Sequence, residues 1–177
     1  GLHVLSGLWM LHRAKKVGDL ETKRDGIMSW SARMLAILGV ERKLVTDLPA
    51  EPSLIVANHL SWLDILVLGS FIPVRFLSKD EIRSWPIIGR LAHGAQTLFI
   101  KRGDRSSAEK AITEIEEVLR SDEFVVVFPE GTSTHGPMAS RFKGRLIEAA
   151  RRAGVAVCPV AIYYSGPGKE FAPVSYT

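Results

Sequence analysis

The stretch V-A-N-H-L-S-W-L-D-I-L, Val56 to Leu66, places His59 and Asp64 in otherwise apolar surroundings, in the pattern H-x-x-x-x-D. A carboxylate that holds an imidazole fixes its tautomer and stabilises the imidazolium, so such a pair is a candidate general base for a hydroxyl. On one continuous helix, residues five apart are rotated by roughly 140°. The two can therefore meet only if His59 lies in a loop ahead of a helix that carries Asp64. With Ser61 as N-cap, Asp64 falls at N3, where its carboxylate reaches back to the loop and its charge is favoured by the helix dipole. The same arrangement also serves a capping box with an ordinary loop histidine beside it, and the stretch alone leaves both readings open.

Three other groups could do chemistry. F-V-V-V-F-P-E-G-T-S-T, Phe124 to Thr134, has Pro129, Glu130 and Gly131 directly after an apolar strand, delivering a carboxylate and a flexible glycine where a ligand of an α/β sheet would lie; a plain strand-to-loop turn fits the same residues. L-F-I-K-R-G-D-R, Leu98 to Arg105, brings Lys101, Arg102 and Arg105 around a Gly-Asp turn, and Arg141, Lys143 and Arg145 form a second basic group. Arginine offers a bidentate fork to phosphate, although charged turns are usually only solvated. The sequence has no G-x-S-x-G elbow, no G-x-x-x-x-G-K-[ST] loop and no G-x-G-x-x-G after a strand, which weakens hydrolase, nucleotide-hydrolysing and dinucleotide-binding readings. The five histidines stand in no metal-ligand spacing, so no metal is expected. Cys158, the single cysteine, excludes an internal disulfide and reads as a buried strand residue.

These residues need strands and helices to hold them. From Pro49 onward, short apolar strands (Leu54–Ala57, Val74–Leu77, Thr97–Ile100, Phe124–Phe128, Val155–Ile162) alternate with helical segments, most clearly Ser106 to Leu119. The pattern predicts an α/β domain over 48–177, with a mixed, largely parallel sheet flanked by helices. Ahead of it, residues 1–47 are read as a membrane-associating helical hairpin. Leu2 to Met10 is apolar and followed by Arg13, Lys15 and Lys16; a second helix runs Gly26 to Leu38 with Gly39 to end it; G-D-L-E-T-K-R-D joins them. Trp9 and Trp30 suit an interfacial depth, and packing on the core is the competing account. The uncharged run falls short of the roughly 18–20 residues that span a bilayer. W-P-I-I-G-R-L-A, Trp85 to Ala92, is read either as part of a lipid entrance or as ordinary core.

At 177 residues, 46% hydrophobic and 24% charged, the chain is of ordinary globular composition, which points to a folded domain rather than disorder. A net charge of +4 and a pI near 9.4 favour an anionic partner without choosing between nucleic acid, phosphorylated metabolite and membrane. The chain begins at Gly1 rather than Met, so both ends are left open to a longer protein.

Taken in order, N-H-L-S-W-L-D, T-L-F-I-K-R, F-P-E-G-T-S and V-C-P-V-A resemble the four sequence blocks of the glycerolipid acyltransferases, which include lysophosphatidate acyltransferases. The similarity covers roughly residues 48–164. It implies that His59 is the base and Asp64 its orienting partner. It further implies that Arg102, with Lys101 beside it, contacts phosphate, that Glu130, Gly131 and Thr132 bind the acceptor, and that Pro159 belongs to the acyl-donor side. By the same resemblance the acyl donor is acyl-CoA or acyl-ACP, used as a substrate with no further cofactor. The acceptor is a lysolipid, with 1-acylglycerol 3-phosphate first and another such as a lyso-ornithine lipid as the alternative. A lipid hydrolase and a non-catalytic lipid-binding module are the readings from other classes. The implied partners are membrane lipids, the lysolipid and an acyl carrier protein, not nucleic acid; the implied location is the cytoplasmic side of a membrane. Two departures stand out. Ser133 replaces an arginine common in lysophosphatidate enzymes, for which Arg141, Lys143 or Arg145 could substitute, and Gln96 replaces a frequent glycine.

Overall fold

The structure, a computed structural model, describes residues 6–7, 20–101, 105–131 and 144–166. Five strands form one sheet: β1 (Ser53–Ala57), β2 (Val74–Lys79), β3 (Leu98–Ile100), β4 (Phe124–Val127) and β5 (Ala156–Val160), in the spatial order β3-β2-β4-β1-β5. Every pairing is parallel, and the described residues add no antiparallel strand. The carboxyl ends of all five strands therefore lie along one edge. Ahead of β1 runs α1 (Leu20–Ile37); the strands are linked by α2 (Leu63–Gly69), α3 (Ile88–Gly94), α4 (Arg105–Arg120) and α5 (Glu148–Ala153), with short 3₁₀ turns at Asp80–Ser84 and Gly144–Ile147.

Alternation along the central strands sends side chains to two cores. Leu54, Val56, Val125 and Val127 face α4 and α5, packing with Ile112, Ile115, Val118, Leu119, Ala149 and Ala150. Ile55, Ala57 and Val126 face the other way, toward Leu68, Ile72 and Phe76. Strands buried on both faces read as continuous apolar runs, which is why S-L-I-V-A and F-V-V-V are legible without any polar alternation. On α4 the stripe Ala111, Ile112, Ile115, Val118, Leu119 recurs at helical spacing, and all five are buried.

Strand ends differ from the sequence expectation where a backbone group is already committed. Thr97 donates its N–H to Ala92 C=O (2.9 Å) and Val155 to Ala150 C=O (3.1 Å), both closing a helix, while Phe128 C=O accepts Gly131 N–H (2.9 Å) in a turn. These groups cannot join the ladder. Gln96 has φ of +56°, and its N–H bonds His93 C=O (3.0 Å) while that of Thr97 bonds Ala92 C=O (2.9 Å). This is a Schellman closure with a glutamine at the left-handed position, where glycine normally sits. Gly39, at φ +72°, ends α1 in the same way, as its placement predicts.

α1 begins earlier than its apolar periodicity indicates. The expected connection G-D-L-E-T-K-R-D is helical from Leu20 onward, because Leu, Glu, Lys and Arg are good helix formers even without an apolar stripe. Leu35, wholly buried, packs with Leu63 and Leu66 of α2. Arg24 (2.8 Å) and Arg75 of β2 both ion-pair Glu123, just ahead of β4, tying α1 to the sheet. Of the first expected helix only Ser6 and Gly7 are described; both are helical, and Gly7 lies so close to Trp30 that an added Cβ would fall 2.7 Å from the indole nitrogen. Trp9, Arg13, Lys15 and Lys16 lie outside the described residues. No described helix is long and apolar enough to cross a membrane. The W-P-I-I residues join no core: Trp85, Ile87 and Ile88 are about half exposed, because they sit on a corner between a 3₁₀ turn and α3.

Candidate active site

β1 ends at Ala57, and the next seven residues build the centre. Asn58 extends the sheet with its side chain: Nδ2 donates to Ile162 C=O (3.0 Å) and Oδ1 accepts the Ile162 N–H (2.7 Å). This amide stands in for a strand neighbour, so β5 gives way at Val160 to a segment clamped onto the end of β1.

Regular helical structure in α2 begins at Leu63, with Trp62 already in the αR region. The hydrogen bonds nonetheless make Ser61 the functional cap. Its Oγ accepts the Leu63 N–H at N2 (3.2 Å), and its own N–H donates to Asp64 Oδ2 at N3 (2.9 Å), which is the half of a capping box that runs from N3 back to the cap. The same Oδ2 accepts the Leu60 N–H (2.7 Å) and meets His59 Nδ1 at 2.8 Å. Asp64 is wholly buried. Capping and imidazole orientation are thus one structure: the loop from His59 to Ser61 wraps around a single carboxylate oxygen.

A carboxylate accepts, so in a neutral imidazole held this way the proton sits on Nδ1 and the lone pair on Nε2. The His59 side chain is 20% exposed, enough for a substrate to reach it, and its ring stacks on Phe128 at 4.2 Å between centroids. Phe128 closes β4 and starts the turn F-P-E-G, in which Pro129 presets the backbone and Gly131 adopts φ +69°. That turn directs Glu130 inward, where it is 5% exposed and its Oε1 accepts the His59 N–H (3.1 Å). The carboxyl ends of β1 and β4 are joined by this bond.

Sequence reasoning missed the fourth wall. Tyr164 donates its hydroxyl to Asp64 Oδ1 at 2.6 Å, across 100 residues of chain, and its ring packs against both the sheet core and the α1–α2 cluster. Asn58 and Phe128 were likewise unassigned. The signal for Asn58 was its place beside His59 at a strand end; Tyr164, in an irregular segment, offers no local signal.

The structure brings His59, Asp64, Glu130 and Gly131 together at adjacent strand ends. Lys101 follows β3, three strand spacings or roughly 14 Å from β1 across the sheet. It borders an open cleft of about 380 Å³ with Asp80, Glu81, Arg83 and Ser84. Arg145 is held by Glu109 of α4 (3.4 Å), whose carboxyl lies below the usual range because Arg152 hydrogen-bonds it, burial opposing and Arg145 adding. Pro159 lies within β5, opposite Val56. Arg102, Thr132, Ser133, Arg141 and Lys143 lie outside the described residues. The described residues hold no group of acidic, His and Cys side chains suited to a metal.

A parallel α/β sheet with an Asp-held histidine at its carboxyl edge has the architecture of an α/β enzyme, in which ligands lie beyond the strand ends. The acyltransferase family model matches residues 17–163, and the chain belongs to that family. A lyso-ornithine lipid O-acyltransferase of Pseudomonas aeruginosa is 46% identical over 140 residues, covering 78% of this chain and 54% of that protein. A 1-acyl-sn-glycerol-3-phosphate acyltransferase of Neisseria meningitidis is 32% identical, covering 96% of this chain and 69% of that protein. The crystal structure of the 1-acyl-sn-glycerophosphate acyltransferase PlsC from Thermotoga maritima superposes with a TM-score of 0.71 at 26% identity, covering 88% of this chain and 65% of that one. The chain thus spans between 54% and 69% of the length of these three proteins.

Proposed function

We propose that this chain carries the acyl-transfer site of a lysolipid acyltransferase, with His59 as general base and Asp64 as its orienting partner. The observation that carries the reading is the 2.8 Å contact of His59 Nδ1 with wholly buried Asp64, which commits Nδ1 and leaves Nε2 as the ring nitrogen for the substrate's proton. His59 Nε2 takes the proton of the acceptor hydroxyl as the oxygen attacks the carbonyl of an acyl-CoA or acyl-ACP thioester. The carbon–sulfur bond then breaks, the ester remains on the acceptor, and the imidazolium returns its proton to the departing thiolate. No acyl-enzyme is needed. Asp64 stabilises the imidazolium, and Glu130 fixes the backbone of His59. Lys101 and Arg102, with Arg141, Lys143 and Arg145 as further candidates, meet the acceptor's anionic part, while Gly131 and Thr132 contribute to the acceptor side.

1-Acylglycerol 3-phosphate is the first acceptor, giving phosphatidic acid. A lyso-ornithine lipid is the second, favoured by Ser133 in place of an expected cation and by the relative at 46% identity. The reaction is placed at a membrane surface on its cytoplasmic side, with residues 1–47 as the associating segment. The test offers a labelled acyl thioester, on CoA and on acyl carrier protein, with a panel of lysolipids. An acylated lysolipid is expected; free fatty acid without an acceptor would make the enzyme a hydrolase, and no turnover with any acceptor would sink the reading.

A further inference from the structure

We propose that residues 85–88 form a rigid wedge that seats the carboxyl edge of the sheet on an anionic lipid surface. Trp85, Pro86, Ile87 and Ile88 are four consecutive apolar residues, all exposed, with Trp85 at 51%, Ile87 at 47% and Ile88 at 48%. A contiguous apolar tip of this kind marks an interaction site on a folded protein.

The tip is held outward by its own backbone. Trp85 donates its N–H to Ile82 C=O (3.1 Å), and Gly89 donates to Trp85 C=O (3.0 Å). Gly89 is buried so closely against the 3₁₀ turn that an added Cβ would lie 2.4 Å from Arg83 C=O and 2.8 Å from Ile82 C=O. The chain therefore turns sharply between Asp80–Ser84 and α3, with the intervening side chains pointing away from the core.

Topology sets the wedge beside the active centre. The segment leaves the carboxyl end of β2, which is separated from β1 only by β4, a distance of roughly 10 Å. Trp62 and Ile65, on either side of Asp64 along the chain, expose 45% and 38% of their surface at the same edge. Charge identifies the occupant. Around the wedge Lys79, Arg83, Arg90 and Lys101 outnumber the two acids, Asp80 and Glu81; Arg83 pairs with Asp80 at 3.3 Å, while Arg90 and Lys101 have no ion-pair partner among the described residues. A tryptophan-bearing apolar tip with surplus cations matches the headgroup region of an anionic bilayer. This deepens the lysolipid reading, since such a substrate resides in that surface.

The test measures partition of the purified protein onto phosphatidylglycerol/phosphatidylcholine vesicles and onto phosphatidylcholine alone. Replacing Trp85, Ile87 and Ile88 together by Ser should lower partition about tenfold or more with the circular-dichroism spectrum unchanged. Arg90→Glu should weaken binding to the anionic vesicles alone. Acyl transfer to vesicle-embedded lysolipid should fall with partition, whereas transfer to a monomeric short-chain lysolipid stays at the wild-type rate. Wild-type partition in the triple variant would overturn the wedge. So would a loss confined to acyl-carrier-protein donors, which would make the patch a protein-docking face. If the wild type acylates no lysolipid in either form, the proposed function fails, and the partition measurement still decides the wedge.

Discussion

Tyr164→Phe deletes one oxygen atom and keeps the ring that packs against both the sheet core and the α1–α2 cluster. The lost interaction is the 2.6 Å hydrogen bond to Oδ1 of a wholly buried carboxylate, and a bond to a charged group contributes about 1.5–3 kcal/mol. That value bounds both effects. Stability should fall by at most this amount, lowering Tm by roughly 5 °C for a domain of this size. Oδ2 keeps its three donors, so Asp64 still faces His59, but the carboxylate is less firmly held. If the whole loss appeared in the transition state, kcat would drop about 100-fold; with part of it absorbed by the ground state, a fall of about tenfold is expected. KM should not change, because the hydroxyl is turned to Asp64 rather than outward. The assay follows thiol release from the acyl thioester at saturating lysolipid, beside a thermal melt of each protein. Wild-type kcat together with wild-type Tm would refute the claim that Tyr164 anchors Asp64; a raised KM with unchanged kcat would place Tyr164 on the substrate instead.

His59→Ala should reduce kcat by about 10²–10⁴-fold while the protein stays folded, and near-normal turnover in the purified variant would end the general-base mechanism. Ser61→Ala should cost about 1 kcal/mol or more in denaturant titration through the lost bond to the Leu63 N–H, with Asp64 still in place because it holds the backbone N–H of Ser61; an unchanged midpoint would show that the Oγ does not cap α2. Gln96→Gly should raise stability by about 1 kcal/mol, since it relieves a left-handed residue at φ +56°; a lowered Tm would show that the glutamine side chain contributes more than its backbone costs. Glu123 sits below its ordinary carboxyl value of 4.5: burial pushes it up, but hydrogen bonds from Arg75 and Arg24 outweigh burial. A depressed carboxyl stabilises the fold above the unfolded value and loses that contribution as pH falls through the folded one. Unfolding free energy should therefore drop on acidification below pH 4.5 less steeply in Glu123→Gln than in the wild type, although the variant is less stable at pH 7.

What was legible in the sequence is what local physics controls. β1 and β4 show as uninterrupted apolar runs because both faces are buried, and α4 shows as a stripe because only one is. The aim of Asp64 was readable because a capping box closes within four residues. The partners that complete the site were not, because nothing local marks them: Tyr164 lies 100 residues from Asp64, and Ile162 lies 104 from Asn58. Gln96 is an intermediate case. The resemblance flags it as a missing glycine, and only the backbone reveals that the position demands a left-handed turn. Trp85, Ile87 and Ile88 are apolar enough for a core; their exposure follows from the close approach of Gly89 to two carbonyls, which is a tertiary fact.

The strand order has a consequence that the individual residues do not. Along the carboxyl edge, from β3 to β5, the strand ends present Lys101, then the 80–88 corner, then Glu130 and Gly131, then His59, then the Tyr164 segment. Cationic groups lie toward one end and the base toward the other. Under the proposed function an amphiphile binding along this edge has a defined direction, with its reacting hydroxyl near β1 and its anionic part toward β2 and β3. With roughly 14 Å between the outer β3 end and β1, Lys101 cannot touch the group that His59 deprotonates, and instead meets the far side of the headgroup. Removal of its charge should therefore raise KM for an anionic lysolipid and leave kcat unchanged, the opposite split from Tyr164→Phe. The two variants, measured side by side, separate recognition from proton transfer within one sheet edge.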